Sequence, residues 1–141
     1  MMQLLNHKML SNHEDEIRKG EIGSFISVID AETANHYQKI AVEESRLGIP
    51  LIFGLDVIHG FKTMFPIPLA ESCSFDDELF EETARVAAKE SVAGGVNWTY
   101  APMVDVARDS RWGRVAEGAG EDTYLASRFS RAKVRGFQGK D

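Results

Sequence analysis

The sequence predicts an α/β fold of parallel strands joined by helical crossovers, and three observations carry that expectation. The run Leu51-Ile52-Phe53-Gly54-Leu55 is apolar on both faces, as a strand is when helices cover a parallel sheet outside and side-chain layers fill it inside. Segments of strand and helix character alternate along the chain, which is the pattern of right-handed parallel units. Neither an internal repeat nor a low-complexity linker interrupts that alternation.

Taken in order, Ser11 and Glu14 have capping-box spacing and Gly20 is a stop, so a short helix is expected over 12–19. A first strand follows at Ile22-Gly23-Ser24-Phe25-Ile26. Asp30 can cap a helix running to about Arg46, with Tyr37, Ile40 and Ala41 on its inner face, and Gly48 and Pro50 end it. The second strand, 51–55, ends on Asp56. A loop held extended by Pro66 and Pro68 then leads to Ser74, which with Asp77 can cap a helix from Phe75 to about Val92. Gly94 and Gly95 terminate that helix. A third strand spans Val96 to about Ala101, and a last helix beginning near Thr123 sets Leu125, Phe129 and Ala132 at helical spacing.

The chain has 141 residues, of which 43% are hydrophobic and 27% charged, the composition of a globular protein with a core of ordinary size. A formal net charge of -6 argues against nucleic acid or an anionic membrane as partner. The lone Cys73 excludes an internal disulfide, and His7, His13, His36 and His59 show no metal-ligand spacing, so neither metal nor cofactor is expected. No apolar run reaches the roughly 18 residues of a membrane span, and Asn6, His7 and Lys8 interrupt the N-terminus as a signal region.

Two places carry chemistry. A carboxylate, Asp56, closes a buried strand and is followed by Val57-Ile58-His59-Gly60; such a strand end calls for a ligand. The stretch from Asp105 to Asp122 is crowded with charge, glycine and Trp112, the make-up of a site loop rather than a spacer. Together with Phe65-Pro66-Ile67-Pro68-Leu69-Ala70 and Asn97 to Val106, these motifs resemble the N-terminal barrel domain of glycoside hydrolase family 3, of the β-glucosidase type. The resemblance runs from about Glu16 to the end.

What the resemblance implies is a partial (β/α)8 TIM-like barrel of about three β/α units. A closed barrel takes about 250 residues, so residues 1–141 are expected to be an incomplete N-terminal barrel domain. Asp56 resembles the family's aspartate that accepts hydrogen bonds from hydroxyls of the first-subsite sugar, a task suited to an ionised acceptor. Arg114 resembles the sugar-binding arginine, whose fork of donors holds adjacent hydroxyls; the plainer reading is a salt bridge to Glu117 or Asp105. Arg111 is favoured as a brace for the loop through an acid, and Ser110 stands where the family usually has proline.

Other residues have plainer explanations. His59 is expected to orient Asp56 or the backbone through one ring nitrogen. Trp112 is equally a sugar platform or a plug of the local core. Asn97-Trp98-Thr99 matches a glycosylation acceptor but falls in an expected strand. Asp76, Asp77, Glu78, Glu81 and Glu82 mark the start of a helix and a solvated face.

The family hydrolyses β-glycosides with retention, by a carboxylate nucleophile and a carboxylic acid about 5 to 5.5 Å apart. By resemblance the nucleophile, the acid/base and a sugar-binding Lys-His pair all belong to later segments, so no catalytic residue is expected within 1–141. The expected partners are a β-glucoside or oligosaccharide substrate and the rest of the barrel with its following domain. Two outcomes stay open: a piece of a β-glucosidase, or a stand-alone inactive module that at most binds sugar or assembles with other chains. A β-xylosidase or β-N-acetylglucosaminidase barrel is a third, although Leu-Asp-Val-Ile-His-Gly resembles the glucosidase branch. An upstream export signal would place the protein in the periplasm or outside the cell; without one it is cytoplasmic.

Overall fold

The computed structural model describes the backbone of Leu4–Asn6 and residues 13–139. The chain forms two compact units, one of Met1–Asp56 with Ser91–Thr99 and one of Val57–Glu90 with Tyr100–Asp141.

The first unit holds a four-stranded parallel sheet in the order β1 (Leu4–Asn6), β2 (Ser24–Ile26), β3 (Ile52–Leu55) and β4 (Trp98–Thr99). The strand over Leu4–Asn6 is one that the sequence pattern did not announce. Phe25 faces Phe53 across β2 and β3; their rings lie 6.1 Å apart, and Tyr37 stacks on Phe25 at 5.2 Å. Around this stack Ile17, Ile22, Val28, Ile40, Ala41 and Leu51 complete a buried apolar cluster.

Helix α1 (Glu14–Lys19) is shorter than the capping box implied. His13 stands at its N-cap without a side-chain cap bond, and Ser11 lies outside the described residues. Helix α2 (Ala31–Lys39) is capped as expected, Asp30 Oδ1 accepting from Thr33 N at 2.7 Å. It does not run to Arg46 as an α-helix: from Ile40 to Glu44 it widens into a π turn. There Ser45 Oγ donates to Ala41 O.

The entry of β3 is held by side-chain amides. Gln38 accepts from Leu51 N at 2.7 Å and donates to Leu51 O at 3.3 Å. From the other flank Asn97 Oδ1 accepts from Phe53 N at 2.8 Å, while Asn97 N donates to Phe53 O at 3.0 Å. The third strand is therefore shorter than 96–101. Only Trp98–Thr99 join the ladder, and Pro102 has no N–H to extend it.

The second unit contains α3 (Pro68–Ser72), most of α4 (Asp77–Ala93), a 3₁₀ turn (Val115–Glu117) and α5 (Thr123–Gln138). The expected extended loop through Pro66 and Pro68 is corrected by α3, because Pro68 sits in the first turn, where its missing N–H would have no partner anyway. The expected start of the long helix at Phe75 is also corrected. Phe75 has φ 54 and lies outside it, and the cap is Asp76, whose Oδ1 accepts from Glu78 N and Leu79 N at 3.0 and 3.2 Å. Asp122 caps α5 by accepting from Leu125 N at 2.7 Å.

Phe80 and Phe129 meet edge to face at 4.9 Å, with Ala119, Ala126 and Ala132 around them. An ion pair between Arg128 and Asp77 ties α5 to the start of α4. Nearer its C-terminus α5 crosses α4 at Gly136, where a Cβ would lie 2.4 Å from Glu81 O and 2.5 Å from Ala84 Cβ. Only a glycine allows that approach.

Candidate functional site

Asp56 follows the last residue of β3 and is exposed. The strand is buried through Phe53 and Gly54, so the chain carries a carboxylate directly from an apolar environment to the carboxyl edge of the sheet. Among the described residues no hydrogen bond or ion pair engages that carboxylate, which leaves its lone pairs open to a hydroxyl-bearing ligand.

The segment after it is tightly folded within the second unit. His59 O accepts from Phe65 N at 2.8 Å, and His59 Nδ1 lies 3.2 Å from Phe65 O. The ring thus braces the backbone, one of the two roles expected for it. At Gly60, φ is 116 and a Cβ would lie 2.0 Å from Thr63 O, so the turn admits no side chain there. Glu90 of α4 closes the turn, accepting from Lys62 N at 2.9 Å, Thr63 N at 2.8 Å and Thr63 Oγ1 at 2.7 Å. These bonds, the backbone one from Thr63 first, hold its pKa below the usual carboxylate range. Sequence spacing offered no signal for Glu90.

In the 105–122 loop Arg111 and Arg114 are each paired with an acid. Asp109 accepts from Arg111 Nε at 3.0 Å, from Arg111 Nη2 at 2.7 Å and from Arg111 N at 2.9 Å. Side chain and backbone of Arg111 are both bound into the local turn, and Ser110 fits in that turn without breaking it. Arg114 makes a comparable fork to Glu117, Nε lying 3.0 Å from both carboxylate oxygens and Nη2 2.6 Å from Oε2. The salt bridge named as the plainer reading of Arg114 is therefore present. The guanidinium nonetheless stays exposed, its side chain keeping 59% of its accessible surface. Hydrogen bonds from the arginines lower the pKa of both Asp109 and Glu117.

Asp56 closes the first unit and Arg114 lies in the second. Trp112, beside Arg111, is half-buried. Asn97 of the glycosylation-like triplet spends its side chain on the backbone of β3, and Trp98 and Thr99 form β4. The acidic residues at the start of α4 are a helix cap and a solvated face, apart from the Asp77 pair with Arg128. Among the described residues no group of three or more His, Cys, Asp or Glu is placed to hold a metal ion, and no helix is long and apolar enough to cross a membrane.

Comparison with known proteins supplies the context. Residues 1–141 match the profile of the glycosyl hydrolase family 3 N terminal domain. A periplasmic β-glucosidase of Salmonella typhimurium is 44% identical over 124 residues, covering 88% of this chain and 16% of the relative. A β-xylosidase of Formosa agariphila is 36% identical over 146 residues, covering 95% of this chain and 20% of the relative. The crystal structure of a β-glucosidase from Listeria innocua in complex with glucose is 48% identical, with TM-score 0.80 over 84% of this chain and 16% of that one. The chain thus spans a fifth or less of the length of these proteins, and the parallel sheet with its helices corresponds to part of their barrel.

Proposed function

Since this chain belongs to glycosyl hydrolase family 3, we propose that it is part of a retaining β-glucosidase that removes terminal β-D-glucosyl residues, and that Asp56 and Arg114 are its contribution to the glycone subsite. The observation that carries the reading is Asp56: an exposed carboxylate at the carboxyl edge of a buried parallel strand, without a partner among the described residues. That is where barrel enzymes assemble their sites.

An ionised acceptor and a planar fork of donors suit adjacent sugar hydroxyls. Arg114 enters this reading already oriented by Glu117, so that its rotamer is set before sugar arrives. Binding at this subsite positions the sugar for carboxylates supplied elsewhere in the complete protein. Periplasmic placement, as in the name of the Salmonella relative, belongs to the same reading.

The test is made in the complete enzyme that carries this segment. Asp56→Asn replaces a charge-assisted acceptor by a neutral amide and is expected to lower kcat/KM for an aryl β-glucoside by about ten- to a hundredfold. Arg114→Lys loses the planar fork and should also impair binding, whereas Arg111→Lys should do less if Arg111 serves as the brace of its own turn, where its backbone N as well as its side chain is bonded to Asp109. A fully active Asp56→Asn removes Asp56 from the site, and an Arg111 variant more damaged than Arg114 exchanges their roles. The Formosa relative favours a second reading, β-xylosidase. A higher kcat/KM on the aryl β-xyloside than on the β-glucoside would select it.

A further inference from the structure

The second unit buries a charged cluster that the proposed site does not use. Lys133 on α5 and Glu71 on α3 are 4% and 3% exposed. The Lys133 ammonium lies 2.8 Å from Glu71 Oε1 and 2.6 Å from Oε2. The ammonium therefore lies against both oxygens of the Glu71 carboxylate. The same ammonium donates to Thr83 Oγ1 on α4 at 2.8 Å, and Thr83 donates to Glu71 Oε1 at 2.5 Å. The Phe129 ring closes the remaining side, its centroid 5.3 Å from Nζ. Burial pushes the lysine pKa down, against the opposing hydrogen bond and charge of Glu71.

Stability alone does not account for such a pair. Desolvating both ions is expensive, and well-packed apolar residues in their place are often as stable. What the network does fix is geometry, because three helices meet at one point. Helix α3 has five residues, too few to hold its place by its own ladder. It packs against the 3₁₀ turn Val115–Glu117. Its Leu69 lies at Gly120, where an added Cβ would sit 3.6 Å from Leu69 Cδ1. Arg114 is the N-cap of that turn, and Glu117 at its end holds the Arg114 guanidinium.

We propose that Glu71, Thr83 and Lys133 form a positioning network that sets the place of the Arg114 turn through α3, and so tunes glycone affinity without touching the sugar. The inference rests on the sugar-binding reading of Arg114. It converts a buried cluster far apart in sequence into a control on one subsite.

The experiment compares, in the complete enzyme, wild type with Arg114→Lys, the double variant Glu71→Leu/Lys133→Met, and Thr83→Val, recording the unfolding midpoint and both kinetic constants for an aryl β-glucoside. The double variant removes both charges together, so its midpoint should match or exceed that of wild type. Its KM should nevertheless rise about 3- to 30-fold, with kcat changed by less than about twofold. Added to Arg114→Lys, the rise should fall short of the product of the separate effects, since both act on one contact.

A stable double variant with wild-type KM overturns the inference and leaves the network a matter of folding only. Should the double variant not fold, Thr83→Val decides: a raised KM supports the network and an unchanged one overturns it. Arg114→Lys with unaltered KM removes the sugar-binding reading itself, and the inference with it. A raised KM in Arg114→Lys beside an unaltered one in the double variant removes the inference alone.

Discussion

Replacing Gly136 by alanine tests the packing of α5 on α4 with a single methyl group. In a helix interior alanine is favoured over glycine by about 1 kcal/mol, so propensity alone argues for a more stable protein. The crossing argues the other way. The new Cβ would lie 2.4 Å from Glu81 O, 2.5 Å from Ala84 Cβ and 3.2 Å from Arg85 N. Two of these are backbone atoms and the third is a Cβ, so no rotamer change relieves the clash. Carbon atoms pack at about 3.5 to 4.0 Å, which requires α5 to lift from α4 by about 1 Å at this point. Overpacking of this kind costs about 1 to 3 kcal/mol, and the rigid walls place it in the upper part of that range.

The balance is a net loss of about 1 to 2 kcal/mol for Gly136→Ala. For a chain of this size that corresponds to a fall of roughly 3 to 8 °C in Tm. Thermal and urea unfolding followed by far-UV circular dichroism measure it. Gly113→Ala is the internal control: nothing lies within 4 Å of its added Cβ, so its stability should stay within about 0.5 kcal/mol of wild type. A Gly136→Ala protein as stable as wild type, or more so, would refute the close approach of the two helices.

Three further outcomes are expected. Asp30→Ala and Asp122→Ala each remove an N-cap oxygen from Thr33 N and Leu125 N and should each destabilise by about 1 kcal/mol in urea melts; unchanged midpoints would contradict the caps. Glu117 and Asp109 have pKa values lowered from 4.5 and 3.8 by their arginines. The order they give the 105–122 loop is therefore present above those values and is lost as pH falls through the lowered ones. Trp112 fluorescence should change in that acid window and stay flat above it, and a transition near neutral pH would count against the pairs. Finally, residues 1–141 alone should not hydrolyse an aryl β-glucoside above a no-enzyme control, because the resemblance assigns both reacting carboxylates to later segments; turnover that survives repurification would refute this.

The sheet and its helices were legible where one physical signal acted alone. The run from Leu51 to Leu55 announced β3 because a strand covered on both sides has no polar alternation to obscure it, and Asp30 announced α2 because its side chain has a fixed local task. Helix α3 was hidden by Pro66 and Pro68, which read as breakers although proline is welcome in a first turn. The site was legible in its residues and much less so in its partners. The salt bridge of Arg114 to Glu117 is a three-residue spacing visible in the sequence, whereas Glu90 reaches Thr63 across 27 residues and Lys133 reaches Glu71 across 62. Such pairings depend on tertiary approach, about which local pattern says nothing.

The order of the strands bears on how the chain comes to be folded during synthesis. Each strand of the sheet pairs with the one just before it in sequence, β2 on β1, β3 on β2 and β4 on β3. A polypeptide emerging from the ribosome can therefore add every new strand to an edge already exposed, with none waiting for a partner not yet made. Between additions the growing edge presents a row of unpaired N–H and C=O groups. The side-chain amides of Gln38 and Asn97 flank β3, and the first of these is translated before the strand it steadies. The sequence order thus makes Gln38 available to hold the entry of β3 earlier in synthesis than Asn97 on the other flank.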